Sequence, residues 1–515
     1  MNGADSLCDT LLAGDIDVCF ANPGTSEMHI VAALDRKPQM RCVLGLFEGV
    51  VTGAADGYAR MMRKPAATLL HTGPGLANGL ANIHNARRAR SPMLNIVGDH
   101  ANTHLGYDAP LTSDIAGLAR PMSDWVHSTA IGAVSQDTAT AISVTRKQPG
   151  GIATLILPAD AAWSDAPGHI TVPQPPALRR RVPAEAIRDA AAHLRSGERV
   201  AILLGDDALL EVSLAAASRI SQATGARLLA EQSNRRIERG AGRAQIDRVI
   251  YSVDAALADF AGLETIILIG ARAPVAFFAY PGKPSSMLPR DCQIVEFARP
   301  GDDMEDAISS LSDELGIKSS ALFASIRHAP PELPRGALTP DTLAAAIGAL
   351  LPENAIICDE SLTAGFQIYG ATANSPRHDY LQLTGGAIGI GLPLATGAAV
   401  ACPDRKVICL QADGSGMYTA QALWTQARER LDVISIILAN RSYAILYHEL
   451  KNVGVETPGA NARRLFDLTE PTIDWVKLAG SMGVEGSRAT TAEELVLALQ
   501  NALRKTGPHL IEAVL

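Results

Sequence analysis

Three oxygen-bearing residues in the last third of the chain have the types and spacing of a magnesium site. Asp413 follows the apolar run "VICLQA" and opens the turn "DGSG", and Asn440 follows the run "VISIILA" 27 residues later. That separation fits one strand-helix-strand crossover, which places the carboxyl ends of parallel strands on one edge of a sheet. The two side chains and the Ser442 carbonyl are hard oxygen donors that suit Mg²⁺. Gly414 and Ser415 would offer N–H groups to a bound phosphate, and an ordinary turn is the structural alternative.

A glutamate among apolar residues is the second candidate. Glu48 lies in "GLFEGVVTGAADGYAR", residues 45–60, where the local sequence offers it no partner. A carboxylate is stable only in water or beside a partner, so this setting favours a functional role. The structural alternative is a glutamate that the helix dipole favours in a first helical turn.

Histidines supply the remaining candidates. His71 ends the apolar run "AATLLH", where it could act as an acid or simply cap the turn. His448 in "RSYAILYHEL" follows the metal loop and could line the same pocket. His84 and the basic run 87–90 could meet a substrate carboxylate, but a solvated helix end is the preferred interpretation.

Buried strands and helices must position these residues. Apolar runs such as "MLNIVGD", "RVAILLG", "TIILIGA" and "AIICDE" alternate with segments of helical period such as "SEMHIVAALDRK". Continuous Val/Ile/Leu runs between helices are typical of buried parallel strands. Proline-rich stretches at 165–180 and 328–340 indicate linkers. The pattern predicts an α/β chain of three doubly wound parallel-sheet domains, at residues 1–165, 178–328 and 337–515.

Composition limits the classes of protein. A chain of 515 residues, 47% hydrophobic and 19% charged, favours two to four globular domains over disorder. The net charge of −9 disfavours nucleic acid as a partner. The seven cysteines contain no CxxC, so neither a disulfide framework nor a zinc cluster is expected. The sequence shows no signal-peptide pattern and no apolar run near the roughly 18 residues of a membrane span, which predicts a soluble cytoplasmic protein without a membrane partner.

Several of these segments resemble thiamine-diphosphate enzymes. The stretch "ADGSG" with Asn440 is similar to the family's "GDG" and distant Asn, with Ala412 in place of the first glycine. Family members also carry a Glu that opens a helix ending in "GYAR", as Glu48 does. The family turn "GxGFGLP" has a counterpart in "TGGAIGIGLPLATG" at residues 384–397.

The resemblance extends to the other two parts of the chain. Residues 19–31, "CFANPGTSEMHIV", and 69–86, "LLHTGPGLANGLANIHNA", are similar to loops of benzoylformate decarboxylase and acetolactate synthase. In the middle, "IILIGARAPVAFFAYPGKP" at 266–284 looks like benzoylformate decarboxylase more than the FAD-binding domain of acetolactate synthases. FAD is therefore not an expected cofactor.

The resemblance implies thiamine diphosphate and Mg²⁺ as cofactors. Glu48 would hydrogen-bond the aminopyrimidine ring and share a proton with it, and the Gly386 carbonyl would meet the ring's amine. Ile388 would bend the cofactor, and Thr25, His71 and His448 would contact the substrate. The remaining implied cofactor contacts are Pro23, Asp413, Gly414, Ser415, Asn440, Ser442, Tyr443 and Ala444, of which Asp413, Asn440 and Ser442 would also bind the metal.

The implied reaction is decarboxylation of a 2-oxo acid through an enamine, followed by release of an aldehyde or ligation to a second carbonyl. The sequence departs from benzoylformate decarboxylase in two places: Thr25 stands for its substrate-binding serine, and Phe278 or a neighbour stands for its second histidine. Acetolactate synthase and a catalytically silent binding paralogue are the alternatives. A Rossmann oxidoreductase is disfavoured because no GxGxxG follows a first strand. In the family the cofactor lies between subunits, with Glu48 from one and the Asp413 site from the other, which implies a homodimer or homotetramer.

Overall fold

The computed structural model describes all 515 residues and contains three sheets, two wholly parallel and one with a single antiparallel strand. The first is six-stranded and wholly parallel, in the order β2-β1-β3-β4-β6-β5. Its strands are β1 (Val18–Asn22), β2 (Arg41–Leu44), β3 (Ala66–Leu70), β4 (Met93–Asp99), β5 (Trp125–Ser128) and β6 (Ile152–Pro158). The helices of this part are α1 (Gly3–Ala13), α2 (Met28–Asp35), α3 (Glu48–Met62), α4 (Thr72–Ala89), α5 (Asn102–Leu105), α6 (Ile115–Ala119), α7 (Val134–Thr145) and α8 (Ala159–Trp163).

The middle part contains a five-stranded parallel sheet in the order β10-β8-β7-β11-β12. Its segment of chain supplies β7 (Val200–Leu204), β8 (Arg227–Ala230), β9 (Ile237–Arg239), β10 (Asp247–Arg248), β11 (Thr265–Ile269) and β12 (Gln293–Ala298), with helices α9 (Ala184–Arg195), α10 (Glu211–Thr224), α11 (Val253–Asp259) and α12 (Met304–Glu314). The strand β9 leaves this sheet and pairs antiparallel with a strand of the third one.

The third sheet has seven strands in the order β17-β18-β16-β15-β13-β14-β9, all parallel except β9. Its own strands are β13 (Ala355–Glu360), β14 (His378–Gln382), β15 (Val407–Ala412), β16 (Val433–Ala439), β17 (Glu485–Ala489) and β18 (His509–Val514). The helices are α13 (Pro340–Leu350), α14 (Ile368–Ala371), α15 (Gly391–Ala401), α16 (Asp413–Gly416), α17 (Ala422–Glu429), α18 (Ala444–Asn452), α19 (Ala460–Phe466), α20 (Trp475–Ser481) and α21 (Ala492–Leu503).

Three parallel sheets confirm the predicted fold class. The fully apolar runs form the central strands, and every residue of β3, β4, β7 and β16 is buried. The predicted domain boundaries stay predictions, although most of both proline-rich stretches carries no helix or strand. No helix combines the length and the apolar character that a membrane span requires.

Helices α3 and α15 pack the first part of the chain against the third at very short range. A Cβ on Gly57 would lie 2.1 Å from the Leu394 carbonyl oxygen, and one on Gly397 would lie 1.8 Å from that of Ala54. Neither glycine can therefore be replaced without moving the helices apart. The contact matters for function because α3 begins at Glu48 and α15 begins just after the "GGAIGIG" turn.

A buried ion pair holds the same junction. Arg60 donates from Nε and Nη2 to the Asp56 carboxylate at 2.8 and 2.6 Å, and both side chains are fully buried. The Arg60 guanidinium also donates to the Gln382 carbonyl (2.6 Å) and to the Thr384 hydroxyl (3.1 Å). A bidentate, further bonded pair compensates the charges for their lost hydration. The "GYAR" end of α3 thus fixes the start of the turn that precedes α15.

Candidate active site

Asp413 and Asn440 follow two neighbouring strands of the third sheet. Strands β15 and β16 are parallel neighbours, with Ala412 paired to Leu438, so the residues that follow them meet at one edge. Asp413 is 3% exposed, and its two carboxylate oxygens accept from the N–H groups of Gly414 (2.8 Å) and Arg441 (2.6 Å). Burial raises the pKa of the Asp413 carboxyl, and these N–H donors oppose that rise.

The Asn440 loop supplies the other oxygens of this corner. Asn440 Oδ1 accepts from the Ser442 N–H at 3.1 Å, and the buried Ser442 hydroxyl has no partner. A Cβ on Gly414 would lie 2.6 Å from the Tyr443 ring, so only glycine lets the two loops approach this closely. No group of three or more His, Cys, Asp or Glu side chains could hold a metal ion.

A mixed set of carboxylate, amide and backbone oxygens, with an unsatisfied hydroxyl beside it, suits Mg²⁺ with phosphate oxygens. The residues present therefore fit the implied metal. One detail differs from expectation: the Gly414 N–H, a predicted phosphate donor, points to the Asp413 carboxylate. Ser415 is buried, and its hydroxyl bonds the Ala412 carbonyl and the Gln411 amide.

The turn before α15 is held from several sides. Gly386 has a φ of +78°, and a Cβ there would lie 2.6 Å from the Phe277 ring of the middle part. Ile388 is half-buried. The Gly389 carbonyl accepts from Asn82 (3.3 Å) and Thr419 (2.8 Å). The turn is thus fixed before any ligand arrives, and Phe277 is the aromatic residue that covers it.

Glu360, a residue not singled out from the sequence, anchors this turn through hydrogen bonds to its backbone. Glu360 ends β13, is 1% exposed, and accepts from the N–H groups of Gly389 (2.6 Å) and Gly391 (2.5 Å). Burial raises its pKa to about 7, while the backbone N–H groups and the Gln411 side chain oppose the rise. The sequence signal that could have identified Glu360 is an acidic residue at the end of the apolar run "AIICDE".

Glu48 begins α3 and is 7% exposed. Its partner comes from outside the local sequence, since the Asn78 side-chain amide donates to its Oε2 at 3.0 Å. No protein hydrogen bond reaches its Oε1, which faces Gly75. One oxygen is therefore held by α4 and the other is left for a ligand.

His71 lies beside Glu48 and belongs to a cluster of polar groups. Its Nδ1 is 2.8 Å from Oε2 of Glu27 and 3.1 Å from the Ser26 hydroxyl. Glu27, also missed from the sequence, is completely buried and accepts from the Ser26 hydroxyl (2.5 Å) and the Gly24 N–H (2.7 Å). His71 is thus oriented by its neighbours at the edge of the sheet and does not merely cap the turn.

The remaining predicted residues lie around these groups. Pro23 is half-buried in the loop after β1, and Thr25 is exposed in the same loop. Tyr443 and Ala444 are half-buried at the start of α18, and His448 is exposed on that helix. Their predicted contacts stay predictions. His84, expected to be solvated, lies 3.0 Å from the Gly385 carbonyl through Nε2 and so supports the turn.

Comparison with known protein families and structures shows what this chain is similar to. Residues 1–119 match the thiamine pyrophosphate enzyme N-terminal TPP binding domain, and residues 363–513 match the C-terminal TPP binding domain. A Mycobacterium tuberculosis protein, IlvX, which carries a provisional acetolactate synthase large-subunit name, is 52% identical over 100% of this chain and 99% of its own. Benzoylformate decarboxylase of Pseudomonas aeruginosa is 30% identical, over 96% of this chain and 95% of its own.

A solved structure extends the likeness to three dimensions. The thiamine diphosphate-dependent 4-hydroxybenzoylformate decarboxylase of Rhodococcus jostii has a TM-score of 0.85 and 25% identity, and the match covers 100% of this chain and 99% of that one. The matches to both TPP binding domains and to relatives over nearly the whole chain define the class of thiamine-diphosphate enzymes. This chain belongs to the thiamine pyrophosphate enzyme family.

Proposed function

We propose that this protein uses thiamine diphosphate and Mg²⁺ to decarboxylate a 2-oxo acid, and that it releases an aldehyde or joins the acyl group to a second carbonyl. The observation that best supports this proposal is that Glu48 and His71 both lie next to Gly75. A Cβ on Gly75 would lie 2.9 Å from Glu48 Oε1 and 3.4 Å from His71 Cβ. A buried carboxyl group and a histidine thus flank the same glycine, an arrangement that suits proton transfer at a single reaction centre.

The chain offers a complete set of groups for the cofactor. Asp413, Asn440 and the Ser442 carbonyl would hold Mg²⁺ and through it the diphosphate. The Gly386 carbonyl and Glu48 would bind the aminopyrimidine, and Ile388 would be the apolar residue that packs against the cofactor and bends it. When bound, thiamine diphosphate supplies a nucleophilic carbon that takes up the electron pair released with carbon dioxide.

Protons at this centre would be handled by Glu48 and His71. Glu48 would exchange a proton with the cofactor ring through Oε1, the oxygen that Asn78 leaves free. His71 would hold or deliver a proton at Nε2, since its Nδ1 is engaged by Glu27. Phe277 covers Gly386 from the middle part and carries no proton, so His71 is the proposed acid for product release.

The active assembly contains at least two copies of the chain, as a homodimer or homotetramer. Glu48 and His71 hydrogen-bond only within the first part of the chain, and the Asp413 carboxylate only within the third. A second copy would bring its Asp413 corner to Glu48. Exposed apolar side chains support this arrangement: Met417 and Tyr418, which follow the Asp413 turn, are 42% and 53% exposed.

Acetolactate formation from pyruvate is the second candidate, and the 52% identity to the protein named for that activity favours it. A panel of pyruvate, branched, anionic and aryl 2-oxo acids, scored for carbon dioxide and for aldehyde and ligation products, separates the two. Aldehyde release, or ligation of the acyl group to an aldehyde, supports the first candidate, and a 2-hydroxy-3-oxo acid formed from two pyruvates supports the second. Calorimetry should show that Mg²⁺ strengthens thiamine diphosphate binding. Absence of binding, or binding without carbon dioxide from any acid, would overturn the proposal and favour a silent paralogue.

A further inference from the structure

Glu27 is a buried carboxylate whose surroundings are unusually specific. It is 0% exposed, and its only partner able to carry positive charge within 4 Å is His71. An ionised carboxylate in such a place must be fully hydrogen-bonded. Two donors meet this need without ambiguity, the Gly24 N–H at Oε2 and the Ser26 hydroxyl at Oε1.

Two glycines make room for this cluster. A Cβ on Gly24 would lie 2.3 Å from the His71 ring, and a Cβ on Gly98 at the end of β4 would lie 1.8 Å from Oε1 of Glu27. The imidazole therefore lies directly over the Gly24 backbone, and the carboxylate lies directly over that of Gly98. A larger residue at either glycine would therefore displace the pair.

The hydrogen bonds determine which ring nitrogen of His71 carries the proton. An ionised carboxylate only accepts, so the 2.8 Å contact between Glu27 Oε2 and His71 Nδ1 requires a proton on Nδ1. The single proton of the Ser26 hydroxyl goes to Glu27 Oε1 at 2.5 Å. Ser26 can then only accept from Nδ1 at 3.1 Å, which requires the same proton. Both contacts thus place hydrogen on Nδ1.

We propose that Glu27 is a positioning residue that fixes His71 in the Nδ1–H tautomer and leaves Nε2, which makes no protein hydrogen bond, free for a substrate. This inference rests on the proposed function for its catalytic consequence, but not for the tautomer itself. Neutral His71 then offers a lone pair at Nε2 and can accept a proton there. Once it has done so, the Glu27 carboxylate stabilises the resulting imidazolium, which can return the proton to the product.

Nuclear magnetic resonance of cofactor-free protein with ¹⁵N-labelled histidine rings tests the tautomer directly. The His71→Gln variant identifies the signals of His71 by their loss. We expect the wild-type neutral ring to be in the Nδ1–H form, Glu27→Ala to give a mixture of tautomers, and the matched control Ser26→Ala to keep the Nδ1–H form. A wild-type Nε2–H ring, or an unchanged spectrum in Glu27→Ala, would overturn the proposal. If Glu27→Ala does not fold, the wild-type spectrum alone decides.

Kinetics with a 2-oxo acid substrate tests the catalytic consequence. Glu27→Ala should lower kcat by about 10²-fold, as general acid-base contributions of this kind do, with thiamine diphosphate affinity unchanged. Equal losses of kcat and cofactor affinity would indicate a structural role and contradict positioning. A fixed tautomer in a protein that turns over no 2-oxo acid would leave the inference about Glu27 standing and overturn the proposed function.

Discussion

Replacing Glu360 by Gln should change how the stability of this protein depends on pH. The two oxygens of Glu360 accept from the N–H groups of Gly389 and Gly391 at 2.6 and 2.5 Å, an arrangement that favours the ionised form. Burial of the same side chain opposes ionisation and raises its pKa to about 7. The neighbouring Asp359 and Cys409 add no positive charge. Gln keeps the size of the side chain and removes the titration.

The magnitude follows from the pKa. A rise from the ordinary 4.5 to about 7 corresponds to about 3 kcal/mol, at about 1.4 kcal/mol for each pH unit. The folded protein binds this proton more tightly than the unfolded chain, so the contribution to stability is complete below pH 4.5 and is lost as the pH rises towards 7. The free energy of unfolding of wild type minus that of Glu360→Gln should therefore fall by about 3 kcal/mol across this interval.

Urea unfolding at several pH values from about 4.5 to 8 measures this difference. Tryptophan fluorescence follows the unfolding, and Trp475, one of four tryptophans, is fully buried against Gly416 in the third part. Subtracting the two proteins at each pH cancels groups that titrate equally in both, including Asp413. A difference that stays constant with pH, or one in which wild type gains stability as the pH rises, would refute the reasoning.

Two further predictions concern the buried Asp56–Arg60 pair and the hydrogen bond from Asn78 to Glu48. Arg60→Met should destabilise the protein by about 3–5 kcal/mol, because it leaves the buried Asp56 carboxylate without its bidentate partner; urea midpoints measure this, and a loss below 1 kcal/mol would contradict it. The double variant Asp56→Asn with Arg60→Met is the control and should recover part of the loss. Asn78→Ala should lower kcat/KM about 10-fold or more through loss of the bond to Glu48, with an unchanged urea midpoint because Asn78 is exposed; unaltered kinetics would contradict it.

The fold was predictable because apolar runs dominate its strands. The run "VISIILA" coincides with β16, and "MLNIVGD" coincides with β4. The three-residue strand β9 was not predictable, since "IER" has no apolar run and its pairing with β14 depends on how the middle and third parts meet. Local sequence does not record such contacts between distant segments.

Some features of the site were also predictable from the sequence, and others were not. Asp413 and Asn440 follow neighbouring parallel strands, as their spacing along the chain indicated. The Glu27–His71 pair also lies at neighbouring strand ends, but its geometry depends on the space that Gly24 leaves for the ring. Phe277 contacts Gly386 only because of where the middle part packs. Residue spacing along the chain does not reveal that position.

Carbon dioxide release from a 2-oxo acid panel by wild type and Glu48→Gln, with and without thiamine diphosphate and Mg²⁺, tests the central claim most directly. The proposed mechanism predicts cofactor-dependent release by wild type and its loss in Glu48→Gln, while calorimetry still detects cofactor bound through the Asp413 corner. Full turnover by Glu48→Gln, or release that needs no thiamine diphosphate, would contradict it.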